Sequence, residues 1–215
     1  LDGAQDRLLE IIRREGVTDP RVLAAMGKID RALFVPDDVR DQAYDNAPLP
    51  IGKGQTISQP LVVGLMTQAL EPAPEHKVLE VGTGSGYQTA VLAELAGRVV
   101  SVERHRALAD RARALLADLG YANVAVHHGS GSTGWPEEAP YDRILVTAGS
   151  PRIPVRLVAR LTRDGRLVAP VGPRSQQELI VLSKGPHGVE ERSLGPVRFV
   201  PLIGEGAWDE QPDLD

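Results

Sequence analysis

The chain has 215 residues, 42% of them hydrophobic and 25% charged, the proportions of an ordinary globular domain with a sizeable core. A formal net charge of -5, with Lys and Arg spread along the chain, argues against a nucleic-acid surface, and the lack of cysteine excludes disulfides, thiol catalysis and Cys-ligated zinc. No apolar run is long enough to cross a bilayer, and an N-terminus carrying Asp2, Asp6, Arg7 and Glu10 lacks the form of a signal peptide, so a soluble cytoplasmic protein, working as a monomer without a membrane partner, is expected.

Leu8, Leu9, Ile11 and Ile12 fall on one face of a helix expected over residues 4–15, which Gly16 stops. Asp19 is a good N-cap for a second helix with Pro20 at its first position, along which Val22, Leu23, Met26 and Ile29 recur at helical spacing. Between Phe34 and Pro60 the pattern dissolves into Pro, Gly and polar residues, and a long loop is expected there. From Pro60 helices and strands alternate. Helices are expected over 61–70, 87–96, 106–119 and 154–161, and strands over 77–81, 98–103, 124–128, 142–147 and 166–171. This is the pattern of a doubly wound, mostly parallel α/β sheet. Residues 178–183 and 189–194, separated by a Gly- and Pro-containing turn, read as an antiparallel hairpin at one sheet edge, and the acidic tail after Gly206 is expected to be loose. The division is thus one domain, 1–215, with N-terminal helices and a loop over 1–60, a core over 61–206 and a tail over 207–215.

The main chemical signal is Val78-Leu79-Glu80-Val81-Gly82-Thr83-Gly84-Ser85-Gly86-Tyr87, in which a strand runs into closely spaced glycines and then a helix. Such a turn lets backbone N–H groups approach a nucleotide, and Glu103, at the end of the next strand, stands ~20 residues on, where a carboxylate accepts from ribose hydroxyls. The loop is GxGxG, with Tyr87 where a dinucleotide fingerprint has its closing glycine or alanine. Glu80 would repel a pyrophosphate and attract a cationic amino acid moiety, which favours S-adenosylmethionine, while a nicotinamide-dinucleotide oxidoreductase stays open as the alternative. His76, His105, His127, His128 and His187 show no HExxH spacing, so no metal is expected.

Beyond this loop, the segment from Ala43 through Tyr44-Asp45-Asn46-Ala47-Pro48-Leu49-Pro50 and Gly52-Lys53-Gly54-Gln55-Thr56-Ile57-Ser58-Gln59 to Pro60 resembles the distinguishing segment of the protein-L-isoaspartate O-methyltransferases. Ser101-Val102-Glu103-Arg104 and Val197-Arg198-Phe199-Val200-Pro201-Leu202 are similar to further motifs of that family, in the same order. The resemblance implies a Rossmann-like methyltransferase fold. It also implies methyl transfer from S-adenosylmethionine, leaving S-adenosylhomocysteine, to the carboxylate of isoaspartyl residues in damaged proteins and peptides. The ester then closes to a succinimide, which begins repair.

On the same resemblance Ser58 is the active-site serine; Thr56, Ile57, Gln59 and Val200 join it in holding substrate, and Glu80, Gly82, Thr83, Gly84, Ser85, Gly86, Glu103, Ser130 and Gly131 bind the cofactor. Taken by itself, Ser58 just before Gln59-Pro60 has a competing role as a helix cap. Ser130 is a departure: the family has His-Gly-Asp-Gly where this chain has His128-Gly129-Ser130-Gly131, and the aspartate is the adenine acceptor there. Thr147-Ala148-Gly149-Ser150-Pro151 departs from an alanine-rich run and reads as loop variation. A homologue that methylates one dedicated peptide is the remaining alternative, although a chain this short has little room for a recognition domain, which favours general repair.

Overall fold

The structure is a computed structural model and describes residues 2–209. Two helices open the chain, α1 (Asp2–Arg14) and α2 (Pro20–Lys28), and Asp19 caps the second by accepting from the Arg21 amide at 2.8 Å. The expected loop after Phe34 is more ordered than its composition suggests. It holds a 3-10 turn (Asp37–Gln42) and a short antiparallel hairpin, β1 (Leu49–Gly52) with β2 (Gln55–Ile57). Leu49, Ile51 and Ile57 alternate inward and are buried, while Gly52, Lys53 and Gly54, all at positive φ, turn the chain. Pro and Gly therefore mark the turn of a hairpin, not the lack of one.

Then follow α3 (Pro60–Leu70), β3 (Lys77–Val81), α4 (Tyr87–Ala93), β4 (Arg98–Glu103), α5 (Arg106–Asp118), β5 (Val124–His128), β6 (Tyr141–Val146), α6 (Val155–Val158), β7 (Leu161–Val171), β8 (Gln177–Gly185) and β9 (Gly188–Val197). The sheet order is β5-β4-β3-β6-β7-β8-β9, parallel as far as β7 and antiparallel through the expected hairpin β8–β9. Strand order reverses between β3 and β6, so a crevice opens at their carboxyl ends.

Val78 and Val99 face α3 and α4, in one apolar cluster with Leu70 and Leu92; Leu79 and Val100 face the opposite layer with Ile144, Leu157 and Leu202. α1 and α2 pack through Ile12 and Met26 into a cluster that includes Tyr87 and Val91 of α4 and Leu108 of α5. At about 25 cal/mol per Å² of apolar area, these shared faces are what hold the N-terminal helices to the sheet.

Two expected helices are shorter than their apolar periodicity suggests. α4 stops at Ala93 because Asn123 donates to the Ala93 and Ala96 carbonyls at 2.9 and 3.0 Å, satisfying the chain end from outside. α6 keeps only four residues, since Leu161 is already drawn into β7 opposite Tyr141. The tail is a further correction: Trp208 donates its amide to the Leu202 carbonyl at 3.0 Å and lies under Arg174, so the chain is fixed as far as Trp208. Residues 210–215 of the expected tail lie outside the described residues. No helix among the described residues is long and apolar enough to cross a membrane.

Candidate active site

Strand β3 ends at the switch point, and the glycines after it turn the chain through left-handed backbone, with φ of +98° at Gly82, +56° at Gly84 and +90° at Gly86. A Cβ on Gly82 would stand 2.3 Å from Thr147 Oγ1, so no other residue fits there. Thr147, just beyond β6, donates its hydroxyl toward the Val81 and Gly82 carbonyls at 2.9 and 2.7 Å and fastens the two strand ends together. Thr147 is therefore a brace for the glycine turn. Glu103, at the end of β4, accepts from the Gly84 amide at 2.9 Å and from the His105 amide at 2.9 Å. It is 5% exposed and faces the crevice.

One cavity brings together Gly82, Thr83, Gly84, Ser85, Glu103 and Gly131 on one side and Thr56, Ile57, Ser58 and Val200 on the other. The hairpin β1–β2 leans over the glycine turn, with Ile51 Cδ1 3.4 Å from where a Gly84 Cβ would be. A second cleft of about 520 Å³ adjoins the first and shares Thr56, Ser58, Thr147 and Val200 with it. Gln59 lines this second cleft, together with Arg198 and Phe199.

Three expected residues line neither the cavity nor the adjoining cleft. Gly86 instead makes room for α5, since a Cβ there would lie 3.3 Å from Ala112 Cβ. Ser130 is exposed at the rim, its hydroxyl 3.1 Å from that of Ser132. Glu80 points to the helical face of the sheet because side chains alternate along β3, and its register partner Ser101 points the same way. It is fully buried: Oε2 accepts from Thr89 at 2.5 Å and Ser101 at 2.6 Å, while Oε1 has no partner. Burial raises its carboxyl to about 8, Glu103 nearby adds to the rise, and the two hydroxyls oppose it. Facing away from the cavity, Glu80 cannot meet a cationic moiety directly, as expected of it; it reaches the cavity wall only through Ser101, whose hydroxyl lies 2.6 Å from that of Thr83.

Ser58 does not cap α3. The helix start is held from a distance by Asn46, whose Oδ1 accepts from the Leu61 amide at 3.0 Å and whose carbonyl accepts from Gln59 Nε2 at 3.0 Å. That leaves the Ser58 hydroxyl to the cavity. The pattern of the chain gave no signal for Val63, Tyr87, Gln88 and Ile203, which also line it, because they sit on ordinary helical or loop positions.

The cavity suits an adenosine-bearing cofactor: glycine backbone lines it, and its one acid, Glu103, projects from the strand end beside the glycine turn. No cluster of three or more His, Cys, Asp or Glu side chains fit to hold a metal occurs among the described residues.

Known proteins agree with this geometry. The model of the protein-L-isoaspartate(D-aspartate) O-methyltransferase family matches residues 3–207. A protein-L-isoaspartate O-methyltransferase of Methanoculleus marisnigri is 57% identical over 197 residues, covering 92% of this chain and 90% of its own. Protein-L-isoaspartate O-methyltransferase 1 of Syntrophobacter fumaroxidans is 53% identical over 207 residues, 96% of this chain and 97% of its own. Among solved structures, a protein-L-isoaspartate O-methyltransferase superposes with a TM-score of 0.84 at 28% identity, over 94% of this chain and 67% of that one. A putative Plasmodium falciparum enzyme of the same kind, in complex with S-adenosyl-L-homocysteine, gives 0.80 at 26%, over 93% and 98%. Nothing among these relatives supports a nicotinamide-dinucleotide oxidoreductase. In sequence over nearly its whole length, and in the Rossmann-like methyltransferase fold, the chain belongs to the protein-L-isoaspartate(D-aspartate) O-methyltransferase family.

Proposed function

We propose that this protein methylates the free carboxylate of L-isoaspartyl residues in damaged proteins and peptides, using S-adenosylmethionine. The observation that carries the reading is the meeting, in one cavity, of the glycine turn and Glu103 with Ser58 and Val200, and the cleft of about 520 Å³ that shares Thr56, Ser58, Thr147 and Val200 with it. When bound, S-adenosylmethionine would supply an electrophilic methyl group to a carboxylate oxygen, a C–O bond replacing the C–S bond as S-adenosylhomocysteine leaves as a neutral thioether, so no proton needs to change hands. The chain's task is then to hold two reactants and exclude water.

In this reading the backbone of Gly82 and Gly84 and the carboxylate of Glu103 hold the cofactor, with Thr83, Ser85 and Gly131 completing its wall. The Ser58 hydroxyl donates to the substrate carboxylate and orients it, while Thr56, Ile57, Gln59 and Val200 hold the flanking peptide. General repair rather than one dedicated peptide is favoured by the openness of the second cleft, where Arg198 is the sole charged side chain. Transfer of labelled methyl to an isoaspartyl peptide, measured beside its normal aspartyl twin, tests the proposal. Equal labelling of the twins, or none, would overturn it.

A further inference from the structure

Arg31 is 1% exposed, yet among the described residues no carboxylate pairs with it. The adjacent acid, Asp30, is committed elsewhere: its Oδ1 accepts from the Ala32 amide at 2.9 Å and from the Tyr44 hydroxyl at 2.6 Å. Arg31 spends its fork on two backbone carbonyls, Nε donating to Ala43 at 2.9 Å and Nη2 to Ser58 at 2.8 Å. Nη1 is buried with no hydrogen-bond partner, and the guanidinium lies over the ring of Tyr87, 4.8 Å from its centroid. An unpaired buried cation is costly, and an apolar side chain would fill the space without that cost. What the arginine alone achieves is a rigid link between Ser58 and Tyr87, both of them on the cavity wall.

We propose that Arg31 is a positioning residue for methyl transfer: its planar fork fixes the Ser58 backbone, and with it the direction of the Ser58 hydroxyl, against the cavity wall at Tyr87. This rests on the reading that Ser58 orients the substrate carboxylate. Loss of the fork disorders that hydroxyl while the glycine turn and Glu103, which Arg31 does not touch, keep their places.

The test uses Arg31→Lys, which keeps the charge without the fork, Arg31→Gln, which keeps a planar donor without the charge, Ser58→Ala, and the Arg31→Lys/Ser58→Ala double variant. Turnover of an isoaspartyl peptide is measured well below the lowest melting temperature, and S-adenosylhomocysteine affinity by calorimetry. Expected are a fall of about tenfold in kcat for Arg31→Lys, a cofactor dissociation constant within about threefold of the parent, and a double variant no slower than the slower single one, as for residues acting as a unit. Four results would overturn the proposal: unchanged kcat in Arg31→Lys, losses that multiply in the double variant, cofactor affinity falling in step with kcat, or neither Arg31 variant folding. Should Ser58→Ala alone keep parental turnover, the reading of Ser58 fails instead, and the two failures are told apart.

Discussion

Replacing Glu80 with glutamine tests whether a carboxylic acid sits neutral beneath the cofactor wall. In the parent, burial holds this carboxyl at about 8, against an ordinary value of 4.5. The folded protein therefore keeps a proton that the unfolded chain releases, and stability must fall as pH rises between those two values. The contribution of Glu80 is fully present below 4.5 and lost as the solution approaches pH 8. At about 1.4 kcal/mol per unit, the whole span has a ceiling on the order of 5 kcal/mol, which water penetration and relaxation reduce to a few. Glutamine has the same shape, still accepts from Thr89 and Ser101, and never ionises. Its extra N–H hydrogens meet the same unpartnered pocket as Oε1, a cost of about 1–3 kcal/mol that does not vary with pH.

The quantity to follow is thus the stability of Glu80→Gln minus that of the parent, by urea denaturation from pH 5 to pH 8.5 without ligand. It should rise by about 2–4 kcal/mol across that range, or roughly 4–15 °C in melting temperature. Titrations of groups that do not interact with Glu80 cancel in the difference. If the two proteins show parallel pH dependence, Glu80 is ionised in the fold and the reasoning is wrong.

Glu103→Ala removes both the acceptor proposed for the ribose and the tether on the Gly84 amide. It should weaken S-adenosylhomocysteine binding by one to two orders of magnitude, about 1.5–3 kcal/mol, measured by calorimetry. Asn46→Ala takes the acceptor from the Leu61 amide and should lower stability by about 1 kcal/mol, whereas Ser58→Ala, which caps nothing, should melt like the parent yet lose about tenfold or more in kcat/KM; a stability loss confined to Ser58→Ala would reverse the two roles. Ser130→Asp extends a rim side chain by one polar group and should tighten cofactor binding severalfold, about 0.5–1.5 kcal/mol, if adenine lies below it; unchanged or weaker affinity would mean that adenine contacts this wall differently.

Long periodic runs and the glycine turn were legible because their cause is local: alternating apolar strands, glycines where φ must be positive, an acid one strand further on. Side-chain direction at Glu80 was not, since only the alternation of β3 against α4 decides that it faces Thr89 and not the cavity. Val155, Leu157 and Leu161 looked helical, but Leu161 gains more from strand pairing beside Tyr141. Asn46 and Arg31 carry no local mark at all. Their partners Leu61 and Ser58 lie 15 and 27 residues away, and only tertiary structure brings each pair together.

The wall of the cavity opposite the glycine turn comes from Val200, Pro201, Leu202 and Ile203, which are pinned by pairing of Pro201 with Gly149 and of Ile203 with Trp208. A polypeptide emerging from the ribosome thus presents Gly82 and Glu103 long before it presents this wall. The pairing that pins Ile203 forms only when Trp208 has cleared the exit tunnel. A protein truncated a few residues before Trp208 would carry every glycine of the turn and lack the pairing that pins Ile203 on the opposite wall.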